Sequence, residues 1–208
     1  MAQPARKTKV QLQLIQEYKM KDLRALHDLG IDINKGIIPL VGEVGEEMYA
    51  RLVHCITAIS NNKLAYEQLT VILNTYGGDL YQAFAIYDLL KRQPMPIRIV
   101  CNGPVMSAGT IILMAADVRE ISPNSFLMYH YGQEANDTEQ SAKQNARLLK
   151  LMKNLYKENS SVTTRTLNKW FSQDTYYNAD EALKLGLVDE IMENDVKVKK
   201  KSTRKTRK

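Results

Sequence analysis

The chain is poor in the residues that build covalent or metal-held scaffolds. It has two cysteines in 208 residues, Cys55 and Cys101, both inside apolar patterns and neither in Cys-x-x-Cys spacing. That excludes a disulfide framework and a zinc-ribbon site, and reads as two reduced core thiols. Its three histidines, His27, His54 and His130, are dispersed, so no metal is expected. There is no Gly-x-x-x-x-Gly-Lys-Ser/Thr loop, so any ATP dependence would have to come from another subunit. No apolar run approaches the ~20 residues that span a bilayer, and the polar N-terminus shows no signal peptide. A cytoplasmic protein with no membrane partner is expected. Internal repeats and Gly-rich phosphate loops are absent too.

The charge balance needs dividing before it is interpreted. Twenty-nine Lys and Arg against 23 Asp and Glu give a net +6, but eight of the positive charges fall between Lys197 and Lys208. Without them 21 positive charges face 23 negative ones, and the body is slightly acidic. The tail has nothing apolar beyond Val198, so a disordered basic tail over 195–208 is expected. Its solvated state explains it without a nucleic-acid partner. Residues 1–34 read as a polar arm followed by a helix with a partial apolar stripe from Gln11 to Leu29, and residues 35–194 as one folded domain.

Within that domain short apolar strands alternate with helices. Strands are expected at Ile37–Val41, Leu69–Asn74 and Ile97–Val100. Helices are expected from about Glu46 to Ser60 (with Met48, Leu52, Cys55 and Ile56 inward), over Leu80–Leu90, and as an apolar segment starting near Ser107. The alternation argues for an α/β fold with parallel strands covered on both faces. In such sheets sites gather beyond the C-terminal ends of strands. A long charged helix is expected over Glu134–Asn159 with apolar Leu148, Leu149, Leu151, Met152, Leu155 and Tyr156. A further helical stretch runs from Val162 to Phe171, where Trp170, the only tryptophan, reads as a core anchor.

Two strand ends carry chemistry. Val100-Cys101-Asn102-Gly103-Pro104-Val105-Met106-Ser107-Ala108-Gly109 places a hydroxyl where a strand turns into a helix, near backbone N–H groups that an oxyanion needs. A Ser-Ala-Gly there also serves as an ordinary helix cap. Upstream, Asn74-Thr75-Tyr76-Gly77-Gly78-Asp79 is a strand running into a Gly-Gly turn that lets backbone approach a ligand. Asn124-Ser125-Phe126-Leu127-Met128-Tyr129-His130 carries a histidine to a strand tip. His130 is the candidate base, since His27 and His54 sit in the bodies of helices. For the acid, Asp174, just before an expected helix, stands beside Asp88 and Asp189, and the residues alone leave the choice open.

In this order and spacing, Gly77-Gly78, Ile86-Tyr87-Asp88, Gly103 with Met106-Ser107-Ala108-Gly109, Pro123-Asn124-Ser125 with Met128 and His130, and Ala179-Asp180-Glu181-Ala182 with Gly186-Leu187-Val188-Asp189 resemble the Clp protease proteolytic subunit. The resemblance runs from about Gly36 to Ile191. It implies a crotonase-like fold of repeated β-β-α and βα units, with a projecting helical handle at about 134–160 through which two rings meet. It implies Ser107 as nucleophile, His130 as general base, Asp174 as the acid orienting it, and backbone oxyanion donors at Gly78 and Ala108. It further implies stacked rings, heptameric in the family, an AAA+ unfoldase that uses the ATP, and unfolded polypeptide as substrate. The chain departs from the family where Tyr131-Gly132 follows the histidine in place of Gln-Pro, where Val105-Met106 precedes the serine, and over residues 1–34, which lack the usual gating and docking pattern. A divergent member, such as one carried by a bacteriophage, would show these departures. Two alternatives share the fold: a crotonase-type acyl-CoA enzyme, and a non-catalytic ring scaffold or capsid-assembly factor. The full Ser-His-Asp set argues against both.

Overall fold

The computed structural model describes residues 30–32, 35–61, 65–132 and 138–193. The expected N-terminal arm and helix, the start of the expected handle (134–137) and the basic tail lie outside these residues. Seven strands form one sheet: β1 (Ile37–Val41), β2 (Leu69–Thr75), β3 (Ile97–Met106), β4 (Val118–Ile121), β5 (Phe126–Tyr129), β6 (Thr175–Asn178) and β7 (Glu190–Ile191). Parallel pairing runs in the order β1-β2-β3-β4-β7, while β5 pairs with β3 in parallel and with β6 antiparallel. The helices are α1 (Glu46–Asn61), α2 (Leu80–Lys91), α3 (Gly109–Leu113), α4 (Glu139–Asn159), α5 (Thr164–Trp170) and α6 (Ala179–Lys184).

Strand β2 shows why the sheet core forms where it does. Leu69, Val71, Leu73 and Thr75 are buried in strict alternation with half-buried neighbours, the period of a strand with one closely packed face. Helix α1 covers the sheet with Met48, Leu52, Cys55 and Ile59. Ile59 completes that stripe, because steps of four, three and four residues keep one helix face inward, and the expected Ile56 packs half-buried against the same core. Helix α2 starts at Asp79, whose carboxylate accepts the Gln82 N–H at 2.8 Å, capping one of the donors every helix start leaves open.

Strand β3 departs most from expectation. It does not stop at Val100 but continues through Asn102-Gly103-Pro104 to Met106. Its first half pairs with β4 (Arg98 to Cys101) and its second half with β5 (Pro104 to Met106). Between them the register with β2 jumps from Leu73↔Cys101 to Thr75↔Val105, so β3 spends four residues where β2 spends two. A bulge of this kind bends a strand and changes its partner, and it accommodates Pro104, which has no N–H to give a ladder. The bulge is pinned from both sides. Gly103 N–H donates to Ser125 Oγ at 2.7 Å, Ser125 Oγ donates to the Cys101 carbonyl at 3.1 Å, and Asn74 Nδ2 donates to the Asn102 carbonyl at 2.7 Å. Gly103 has φ 107°, and a Cβ there would stand 2.5 Å from Asn74 Nδ2, so glycine is required on both counts.

The core continues as an aromatic cluster where β5, β6, α4 and α5 meet. Tyr129 stacks on Trp170 at 3.9 Å, Tyr156 meets both edge-on at 5.5 Å, and Trp170 Nε1 donates to Tyr177 Oη at 2.9 Å. The Tyr129 hydroxyl is buried with no hydrogen-bond partner among the described residues. Burying an aromatic ring yields about 4–6 kcal/mol by area, against about 1–3 kcal/mol for an unpaired hydroxyl, so the ring's packing decides the position.

Helix α4 begins at Thr138, which forms a capping box with Ser141. Its buried residues are Asn145, Leu148, Met152, Leu155 and Tyr156. The apolar residues of the expected handle, through which two rings would meet, thus face mostly inward. Leu148, Met152 and Leu155 are covered by the chain's own domain, Leu149 is half-buried, and Leu151 stays exposed. The far end of α4 is tied down by Arg119, whose Nη1 donates to the Asn159 carbonyl at 2.7 Å while Nη2 pairs with Asp189 at 2.8 Å. Partial burial alone would raise the Asp189 pKa, but the hydrogen bonds and charge of Arg119 outweigh it and hold the carboxyl below its ordinary value. A depressed folded-state pKa means stability that is present at neutral pH and lost as pH falls below about 3.8. Asp189→Asn is therefore expected to be less stable than the parent at pH 7 in denaturant titrations. The gap should close as the pH is lowered through 4 toward 3; a gap independent of pH would contradict this.

Candidate active site

Ser107 sits where β3 hands over to α3. It is the one non-glycine residue with positive φ, 52°, among the described residues, a conformation costly enough that the surroundings must enforce it. They do so through its own backbone: Ser107 N–H donates to the Met128 carbonyl at 2.8 Å, and the Ser107 carbonyl accepts the Thr110 N–H at 2.9 Å. The expected apolar helix near Ser107 is thus a sharp elbow followed by a short helix over Gly109–Leu113, all of it buried. Gly109 is needed there because a Cβ would meet Thr75 Cγ2 at 2.4 Å.

The two glycines after β2 have separate tasks. A Cβ on Gly77 would stand 2.7 Å from Ser107 Cβ, and one on Gly78 would stand 2.3 Å from the Val44 carbonyl. Val44 N–H donates to the Gly77 carbonyl at 2.8 Å and Asp79 N–H donates to the Val44 carbonyl at 2.7 Å. In that parallel pairing the N–H of Gly78 points away from Val44, and Gly77 beside it packs on Ser107. Thr75 Oγ1 accepts the Gly77 N–H at 3.0 Å and fixes the turn.

The strand tip of β5 brings His130 to the elbow. Its Nε2 lies 2.7 Å from Ser107 Oγ, and its Nδ1 lies 3.2 Å from Asp174 Oδ1. Asp174 stands just before strand β6, not before a helix as expected, because β6 pairs antiparallel with β5 (Tyr129↔Thr175) and so sets residue 174 beside residue 130. An ionised carboxylate only accepts, so Nδ1 carries the ring proton and Nε2 is left to accept from the serine hydroxyl. Of the other two candidate acids, Asp88 lies within α2 and Asp189 is bound to Arg119. Among the described residues no group of three or more His, Cys, Asp or Glu is gathered as a metal would need, and no helix is long and apolar enough to cross a membrane. The Cys101 thiol is fully buried and pushed up by that burial, and Cys55 is likewise pushed up to about 11, so neither offers a thiolate.

A cleft of about 290 Å³ opens at these groups, lined by Gly78, Ser107, Ala108 and His130 together with Tyr81 and Met152. A model of the Clp protease family matches residues 21–195. The chain belongs to the Clp protease family. It is similar to the ATP-dependent Clp protease proteolytic subunit of Deinococcus radiodurans, 27% identical over 174 residues that cover 80% of this chain and 85% of the relative. Among solved structures it resembles ClpP1 from Listeria monocytogenes, at 25% identity and a TM-score of 0.70, and a point mutant of that protein at 26% and 0.71. In each case the match covers 78% of this chain and 94% of the other. The α/β, crotonase-like fold and serine-type peptidase activity expected from the sequence are those of this family, and identities this low fit a divergent member.

Three polar residues that build the site had no role assigned from the sequence. Ser125 pins the β3 bulge, Thr110 bonds the Ser107 carbonyl, and Tyr156 reaches Thr110 from α4. Ser125 stood among the family markers and Thr110 borders the apolar run Ile111–Leu113, but only the fold shows what each hydroxyl bonds; Tyr156 reads simply as part of a helix's apolar face. Gly78→Ala is expected to lower the melting temperature by several degrees, since its new Cβ meets backbone that no rotamer can relieve. Peptide turnover by the folded fraction should fall with it, and calorimetry beside a peptidase assay checks both.

Proposed function

We propose that this serine-type peptidase works through Ser107 as nucleophile, His130 as general base and acid, and Asp174 as the group that orients the ring. The observation that carries the reading is the continuous contact from Ser107 Oγ to His130 Nε2 (2.7 Å) and from Nδ1 to Asp174 (3.2 Å), built on a strained elbow facing a glycine turn. As Ser107 Oγ bonds to the scissile carbonyl carbon, its proton passes to Nε2 and then to the leaving amine nitrogen. Water next attacks the acyl ester, giving its proton to Nε2, and the ester bond breaks to restore Ser107. The carbonyl oxygen carries negative charge at both steps, and the N–H groups of Gly78 and Ala108 are its donors. This chemistry draws on no cofactor. The substrate is unfolded polypeptide cleaved inside a chamber of stacked rings of this chain, heptameric as in the family. A separate AAA+ ATPase delivers the polypeptide, in the cytoplasm. The handle role of residues 134–160 belongs to the same reading, with α4 presenting its exposed first turns outward.

Ser107→Ala should abolish hydrolysis of a fluorogenic peptide, by a factor of roughly 10⁴ to 10⁶ in kcat, with fold and light-scattering mass unchanged. His130→Ala should be as damaging, because neither group works alone. Asp174, whose side chain is 58% exposed, leaves room for water to orient the ring, so Asp174→Asn should cost less than either. More than about a tenth of the rate surviving in Ser107→Ala would overturn the assignment, and an acyl-CoA thioester control distinguishes the crotonase-type alternative.

A further inference from the structure

The peptide unit joining Ser107 to Ala108 has two ends. Its N–H is the proposed oxyanion donor, and its carbonyl belongs to the nucleophile. In a trans peptide these point in opposite directions and lie in one plane, so whatever holds the carbonyl also aims the N–H. The carbonyl of Ser107 is held twice by one residue: Thr110 N–H donates at 2.9 Å and Thr110 Oγ1 donates at 2.7 Å. Thr110 has one hydroxyl proton and spends it there. The 2.7 Å contact between Thr110 Oγ1 and Tyr156 Oη must therefore have Tyr156 as donor. Both residues are almost wholly buried. Burial holds the Tyr156 phenol above its ordinary range, against a smaller opposite pull from Thr110, so it stays protonated and able to donate across the working pH range.

We propose that Tyr156, acting through Thr110, aims and polarises the Ala108 N–H, and is a positioning residue for the oxyanion. The relay runs from the Tyr156 hydroxyl to Thr110 Oγ1 to the Ser107 carbonyl. Each bond in such a chain strengthens the next, and a carbonyl that accepts strongly leaves its own peptide N–H a better donor. The relay joins α4 to the elbow, and neither Thr110 nor Tyr156 lines the cleft. Its loss should weaken binding of the transition state and spare binding of the substrate.

This inference rests on the proposed roles of Ser107 and Ala108, and the tests separate the two. The full-length protein is assayed with a fluorogenic peptide and with a peptide aldehyde, whose hemiacetal with Ser107 places an oxygen in the oxyanion position. Tyr156→Phe is expected to lower kcat by about tenfold with KM unchanged, and to raise the aldehyde Ki by the same factor. Thr110→Val should do likewise, Thr110→Ser should stay within about twofold of the parent, and the double variant Tyr156→Phe with Thr110→Val should be no worse than the poorer single one. Tyr129→Phe removes an unpartnered hydroxyl from the same aromatic cluster and should leave kcat and Ki unchanged. Parental kcat and Ki in Tyr156→Phe, a kcat loss without a matching change in Ki, or losses that multiply in the double variant would each overturn the proposal. Should Tyr156→Phe fail to fold, the contrast between Thr110→Val and Thr110→Ser decides in its place: equal kcat and Ki in those two overturns it. If Ser107→Ala remains active, the functional reading fails; if Ser107→Ala is dead while Tyr156→Phe is parental, this inference alone fails.

Discussion

The bulge at Asn102-Gly103-Pro104 is the constraint from which the site follows. Before it β3 runs beside β4. With it, β3 leaves β4 and joins β5, so the strand that ends in the serine lies beside the strand that ends in the histidine. The partner of β5 on its other side is β6, whose first residue follows Asp174. One irregularity in one strand thus brings together three side chains far apart in sequence. The elbow's positive φ at Ser107 is affordable because Met128, Thr110 and the glycine turn fix the backbone on every side.

Support for this arrangement comes from the aromatic end of the core. Tyr129 directly precedes His130, and Tyr177 follows Asp174 by three residues, so packing that holds the cluster of Tyr129, Tyr156, Trp170 and Tyr177 also holds both residues. Helix α4 contributes twice, through Met152 in the cleft wall and through Tyr156 behind the elbow. Arg119 anchors the end of α4 to β4 and to the segment before β7. The helix that marks the handle in the family is, in its second half, part of the domain's own core.

Much of this was legible in the sequence because it rests on local signals. Apolar runs of four to seven residues separated by helix-length segments announce parallel β units, and Gly77-Gly78 and Ser107-Ala108-Gly109 stand where strand ends must be. The outcome differed from expectation where a non-local partner overrode local chemistry. Gly103-Pro104 reads as a turn, and would be one without Ser125 and Asn74 to hold it in the sheet. Asp174 precedes a strand because Tyr176-Tyr177 pairs with Leu127-Met128, a contact spanning some fifty residues that no window reveals. Among Asp88, Asp174 and Asp189 the residues alone left the choice open; the family resemblance singled out Asp174, and the fold sets that residue 3.2 Å from His130.

The most direct test of the bulge as the device that aims the nucleophile is the rate at which a fluorophosphonate labels Ser107 in Ser125→Ala, followed by mass spectrometry of the modified peptide. That variant removes one hydroxyl that accepts from Gly103 and donates to Cys101, about 2.7 and 3.1 Å away, and touches no reacting atom. The account predicts a folded protein in which labelling remains confined to Ser107 but is several-fold slower. Labelling at the parental rate in a folded Ser125→Ala would show that the serine is aimed by something other than the bulge, and would contradict it.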